Sequence, residues 1–254
     1  MNPVRSALAS LALLLATACG GSTTAGVQHT TDPAVASLTV LAASSLTKVF
    51  TAEGAAYEKA HPGAHVRFSF AGSQALVAQV AQGAPADVLA TADTTSIALA
   101  KAELSGEPRA FARNRLAVIT APGNPRHLTT LADLAKPGVK VVLAGPTVPV
   151  GKAALKALAA AAVTIRPVSL EPDVKGVVTK VRLGEADAGI AYVTDLQSAK
   201  GAVAGTALPA ISNSYPAAVL KTSKAPDAAE AFIDFVLSPD GQAILAAAGF
   251  LPPA

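Results

Sequence analysis

Short apolar runs alternate with longer stretches of helical spacing along most of the chain. Residues 38–43 (LTVLAA) form an apolar, partly β-branched run and predict a buried strand. Ser44 and Ser45 follow, then a helical pattern to about Ala60, which His61-Pro62-Gly63 ends. Residues 66–70 (VRFSF) alternate as a second strand. Gly72-Ser73 opens a helix to about Gln82, and Gly83-Ala84-Pro85 closes it. Further strands are predicted over 87–91, 115–120, 139–144, 189–193 and 217–221. Helices are predicted over 151–162, 174–183, 226–237 and 239–248, the last two with proline in the first turn. The strands are near-continuous apolar runs, as in sheets covered on both faces. The order predicts an α/β architecture with largely parallel sheets.

The first residues carry a different pattern. Arg5 precedes an apolar stretch over 7–18, too short to span a bilayer but suited to a signal-peptide core. It ends in Ala16-Thr17-Ala18-Cys19, and Cys19 is the single cysteine, so no internal disulfide is possible. This arrangement resembles the lipobox of bacterial lipoproteins, which implies cleavage of a signal peptide, 1–18, and lipidation of Cys19. An ordinary cleaved signal with a chance cysteine is the alternative. Small polar residues fill the stretch to 36, so residues 19–36 are expected to be a lipidated cysteine and flexible tether. Such a tether keeps a soluble body at high effective concentration near a membrane partner.

Composition narrows the function classes. Hydrophobic residues are 51% of the 254 and mean hydropathy is +0.44, yet no run of about 18 apolar residues occurs after the first 20 positions. The net charge of +3, without a Lys/Arg cluster, argues against nucleic-acid binding. Aromatics are 4% and tryptophan is absent, which leaves no stacking platform for sugars or bases. The four histidines have no metal-site spacing, and no Walker A, GxGxxG or GxSxG pattern occurs. FAGSQAL around Ser73 is the nearest approach to a nucleophile elbow; it lacks the second glycine in place and an acid and histidine following in hydrolase order.

What remains is a set of helix starts placed just after strands or loops: Ser45, Ser73, Val150-Gly151 and Asp173-Val174. Strand C-termini of α/β sheets face a common crevice, and helix N-termini there carry free N–H groups and partial positive charge. Several together make an anion site without Lys or Arg. Singly, each such Ser or Asp is an ordinary N-cap.

The ordered motifs VLAASSLTKVF (40–50), FSFAGSQALVAQVAQGAPADVLATAD (68–93), NRLAVITAPGNP (114–125), GPTVPVGKAALKAL (145–158), EPDVKGVVTKVRLGEADAGIAYVTD (171–195) and YPAAVL (215–220) resemble those of the periplasmic molybdate-binding proteins of ABC importers. The resemblance runs from about Leu38 to Pro252. It implies the two-lobed, type II periplasmic-binding-protein fold, each lobe a largely parallel sheet flanked by helices. Lobe one would be 37–113 plus 221–254, and lobe two 114–220. It implies an anion between the lobes, held by Ser45 and Ser73 from lobe one, by the backbone N–H groups of Val150 and Val174, and by the Tyr192 phenol. Two departures stand out: Val150 replaces the family's usual alanine, and Gln74 is larger than the small residue often found there.

The resemblance further implies a non-enzymatic receptor for molybdate or tungstate. It would need no cofactor, protein-bound metal cation or nucleic acid. It would work as a monomer, reach the membrane through its lipid anchor alone, and deliver the anion to an ABC-transporter permease. Its location would be extracytoplasmic. Neutral donors suit a dianion that offers only acceptors: a protonated phosphate would leave a donor facing a donor, at about 1–3 kcal/mol. A smaller anion such as sulfate would not reach every donor. A sulfate receptor and a serine hydrolase using Ser73 are the remaining alternatives.

Overall fold

The computed structural model describes residues 37–253, and of 209–212 it describes the backbone alone. The predicted signal peptide (1–18), Cys19 and the tether (19–36) lie outside the described residues. No helix among the described residues is long and apolar enough to cross a membrane.

The strands are β1 (Ser37–Ala43), β2 (His65–Ala71), β3 (Val88–Ala90), β4 (Arg109–Thr120), β5 (Val141–Ala144), β6 (Ser169–Glu171), β7 (Ala188–Tyr192) and β8 (Ala204–Val219). The helices are α1 (Thr47–Ala60), α2 (Ser73–Ala81), α3 (Thr94–Leu99), α4 (Pro149–Ala160), α5 (Val174–Arg182), α6 (Val193–Ser198), α7 (Pro226–Leu237) and α8 (Pro239–Ala247). A 3-10 turn, Ser44–Leu46, joins β1 to α1. The strands form one sheet in the order β2-β1-β3-β8-β4-β7-β5-β6.

This order contains the same local arrangement twice. β1 is parallel to both β2 and β3, and β5 is parallel to both β6 and β7. At β1 and at β5 the chain therefore departs to opposite sides, and a crevice opens beyond the strand C-termini. The long antiparallel strands β4 and β8 connect the two arrangements. Residues 217–219 of β8 pair with β3, while 116–120 of β4 pair with β7. The register between β4 and β8 shifts twice, between Ala110 and Ala112 and between Arg115 and Leu116.

Those two strands are where the structure departs most from the hydrophobic pattern. β4 begins at Arg109, six residues ahead of the apolar run, and β8 extends far upstream of the predicted 217–221. Arg109, Arg113, Asn114 and Arg115 interrupt the pattern in β4; Asn213 and Pro216 do so in β8. Pro216, opposite Ala110, adjoins the first register shift, a position where the ladder tolerates a missing N–H. Three short elements, α3, β6 and α6, also fall outside the predicted runs.

The main core joins the two parallel arrangements. Its aromatic part centres on Phe50 of α1, whose ring meets Phe68, Phe111 and Phe232 at centroid distances of 6.0, 5.4 and 6.1 Å. A smaller cluster of Leu41, Leu76, Leu89 and Ile97 packs α2 and α3 on the other face of β1 and β3. Together they fix α1, α2, α4 and α5 against the sheet, and with them the directions of their N-termini.

Candidate functional site

Four strands end at one place. β1 runs into Ser44-Ser45, β2 into Gly72-Ser73, β5 into Val148-Pro149-Val150, and β6 into Val174. Ala43, Ser44, Ser45, Gly72, Ser73, Ala92, Val148, Pro149, Val150 and Val174 together line a cavity of about 10 Å³. That is room for roughly one water-sized sphere. No charged side chain is among these lining residues.

Close packing brings the helix starts together. A Cβ on Gly72 would lie 2.5 Å from the Pro172 carbonyl oxygen, so the start of α2 meets the turn before α5 only because residue 72 has no side chain. A Cβ on Gly151 would lie 2.0 Å from the Gly145 carbonyl oxygen, which presses the first turn of α4 onto the end of β5. Gly72 and Val148, the N-caps of α2 and α4, have no side-chain cap bond. No side-chain cap therefore occupies the N–H groups of Ser73 and Val150, which line the cavity. In α5 the Asp173 carboxylate accepts from Gly176 N–H at 3.0 Å, leaving the N–H of Val174 ahead of it.

Four of the five residues anticipated as ligands, Ser45, Ser73, Val150 and Val174, share this cavity. All four are at most 6% exposed. The fifth, Tyr192, is buried but is not among the lining residues. Its hydroxyl accepts from Asn213 Nδ2 at 2.7 Å, and the same nitrogen donates to the carbonyl of Ala92, a lining residue, at 3.2 Å.

Hydrogen bonds tie the hydroxyls into the surrounding frame. Ser73 Oγ accepts from Ala92 N–H at 3.0 Å. Tyr215 Oη donates to Ser45 Oγ at 3.1 Å. Asn114 Nδ2 donates to Thr194 Oγ1 at 2.7 Å and to Tyr215 Oη at 3.5 Å. Asn114 and Asn213 are direct partners across β4 and β8. Burial, joined by the neighbouring Tyr215 phenol and the Asp195 carboxylate, holds the Tyr192 pKa well above the ordinary tyrosine value. Burial likewise raises that of Tyr215, so both phenols keep their protons.

Two lysines stand near the site, and each is neutralised. Lys175, beside Val174, lies 2.7 Å from Asp195; Lys152, one turn into α4, lies 2.6 Å from Asp93. Asp195 is 1% exposed and also accepts from Tyr192 N–H at 3.3 Å. Burial raises its pKa, with Lys175 opposing the shift. With no charged side chain in the lining, the positive field at the cavity wall comes from backbone dipoles.

Asn114, Asn213 and Asp93 did not stand out in the sequence. Their available signal is polarity out of place, an amide in each of two paired strands. Tyr215 lies in the YPAAVL motif, but its role depends on a contact 170 residues away in sequence. Gln74, noted for its size, donates to the Pro172 carbonyl at 2.8 Å and so bridges the starts of α2 and α5.

The sheet order and the helix-start cavity define a class of protein. Residues 38–251 match the family described as bacterial extracellular solute-binding protein, and the chain belongs to that family. It is 39% identical over 241 residues to the molybdate-binding protein ModA of Mycobacterium tuberculosis, covering 93% of this chain and 92% of that protein. The periplasmic molybdate-binding protein of Azotobacter vinelandii has the same fold, with a TM-score of 0.73 and 23% identity over 85% of this chain and 100% of that one. The sulfate-binding protein SubI of Mycobacterium tuberculosis also shares it, with a TM-score of 0.72 and 22% identity over 85% of this chain and 86% of that one.

Proposed function

We propose that this chain is an extracytoplasmic receptor that binds molybdate, and tungstate through the same donors, for delivery to an ABC importer. The observation that carries the reading is the convergence of four chain turns, two with inward serines, on one cavity lined by no charge. The 39% identity to a molybdate-binding protein over nearly the whole chain supports the choice of anion. Ser45 and Ser73 donate O–H, Val150 and Val174 donate N–H, and the Tyr192 phenol closes the set. Val150 acts through its backbone, so its side chain does not remove the donor.

In this reading residues 37–113 plus 221–254 are one lobe and 114–220 the other. β4 and β8 are the strands about which they hinge. The walls part to admit a tetrahedral anion larger than the present cavity and draw in on its oxygens. The closed pair of lobes is the form that the permease reads. Cys19, lipidated after cleavage of residues 1–18, holds the monomeric receptor at the membrane through the tether. The protein acts by binding and not by catalysis, in keeping with the solute-binding family and the molybdate-binding relative.

Replacement of single donors tests this reading. Ser45→Ala and Ser73→Ala each lower molybdate affinity by about tenfold to a hundredfold, the loss of one hydrogen bond to a charged group. Calorimetric titration measures it. Unchanged affinity in both variants contradicts the site.

A further inference from the structure

The polarity of the hydrogen bonds behind the site can be read from backbone atoms, which have no choice of role. The Ala92 carbonyl only accepts, so the Asn213 atom facing it is the amide nitrogen. That nitrogen also meets Tyr192 Oη at 2.7 Å, so it donates there too. Arg115 N–H only donates, so it faces Asn114 Oδ1, at 2.9 Å. Asn114 Nδ2 is then turned toward Thr194 and Tyr215. Tyr215 Oη receives that amide and passes its own proton to Ser45 Oγ at 3.1 Å. On the other wall Ala92 N–H, again only a donor, occupies the Ser73 oxygen at 3.0 Å.

Every hydroxyl proposed to touch the anion therefore receives a hydrogen bond from the protein side. Ser45 receives one from Tyr215, Ser73 from the Ala92 amide and Tyr192 from Asn213. A hydroxyl whose oxygen already accepts from behind has its proton to offer in front. We propose that Tyr215 and the Ala92 amide are positioning groups that aim the Ser45 and Ser73 protons at the ligand, and that Asn213 occupies the Tyr192 oxygen beside them, restricting the site to oxyanions that carry no proton. Asn114 supports Tyr215 in that role. The inference rests on the oxyanion reading above and adds the residues that set its selectivity.

The burial of both phenols agrees with this, since neutral tyrosines supply the protons that the scheme needs. Residue 92 couples the two walls. Its N–H sets Ser73, and its carbonyl holds the amide that sets Tyr192.

Titration of the purified protein with molybdate, sulfate and inorganic phosphate at pH 7 tests the inference. The variants are Tyr215→Phe, which deletes one oxygen, and Asn213→Leu, which replaces the half-buried amide without adding charge. Circular dichroism checks that each is folded. In each variant one hydroxyl is released from its inward donor and can accept from a protonated anion. The molybdate-to-phosphate affinity ratio is expected to fall by about tenfold or more, the value of one mispaired buried donor. A purely structural role would weaken all three anions in the same proportion. A wild-type protein that binds molybdate with the ratio unchanged in both folded variants overturns the inference. So does a wild-type protein that accepts phosphate as readily as molybdate, which leaves the oxyanion reading intact. A wild-type protein that binds none of the three overturns the oxyanion reading itself, and the inference with it.

Discussion

At the scale of single residues the clearest cost in the molecule is Glu53. It sits on α1 with no exposure, and neither carboxylate oxygen has a hydrogen-bond partner among the described residues. Burial lifts its pKa from the ordinary 4.5 to about 8. The folded protein keeps this proton up to about pH 8, while the unfolded chain releases it above 4.5. Stability therefore falls as pH rises through that window, at a limiting slope of about 1.4 kcal/mol per pH unit, and levels off above it. Glu53→Leu is expected to remove that slope and to be more stable than wild type at pH 8, by about 4 kcal/mol, the slope taken across the window. Denaturant unfolding of both proteins at pH 5 and pH 8 measures it; an equal pH dependence in the two would refute the account. Glu53 illustrates what the sequence conceals. Nothing in AEGAAYE separates a buried glutamate from a solvated one. Ser45 and Ser73 were legible because each follows a strand and opens a helical turn. The orientation of their protons was not, because it depends on Tyr215 and Ala92, which reach them only through the fold.

Among the secondary-structure elements, legibility followed local pattern. The helices that start at the site are uniform apolar-periodic segments with turn residues ahead of them, and their ends fall within two residues of the predicted ones. β4 and β8 are different. Their long antiparallel pairing crosses the middle of the sheet, where Asn114 and Asn213 face the polar network and Pro216 sits by a bulge, so neither strand alternates cleanly. Their stability comes from each other and not from local propensity. The same packing makes Gly151 a critical position. Gly151→Ala would place a methyl group 2.0 Å from the Gly145 carbonyl oxygen, forcing the first turn of α4 away from β5. The variant is expected to lose roughly 1–3 kcal/mol of stability by thermal or denaturant unfolding. Its molybdate affinity is expected to fall with it, since the Val150 N–H moves. A variant that retains both would mean that α4 is not held as tightly as the contact implies.

On the scale of the whole molecule, Gln74 and Lys152 bridge the two parallel arrangements across β4 and β8. Gln74 of α2 bonds to the Pro172 carbonyl before α5, and Lys152 of α4 pairs with Asp93 ahead of α3. None of these four residues lines the cavity, so in the proposed clamp they would bear on how firmly it shuts and not on what it selects. Lys152→Met is accordingly expected to weaken every bound anion by the same factor, about two- to fivefold for a partly exposed pair, and less at high salt. A change in selectivity among anions would place Lys152 in the site itself. The sheet halves and their crevice were foreshadowed by the strand–helix order and the family resemblance; these two contacts were not, because each joins residues far apart in sequence. A cavity of neutral donors suits a tetrahedral, proton-free oxyanion of molybdate size. Isothermal titration of the purified protein with molybdate, tungstate, sulfate and phosphate tests this most directly. Tight one-to-one binding of molybdate and tungstate is expected, with sulfate and phosphate much weaker. Binding of phosphate as strong as that of molybdate, or a folded protein that binds none of the four, would contradict it.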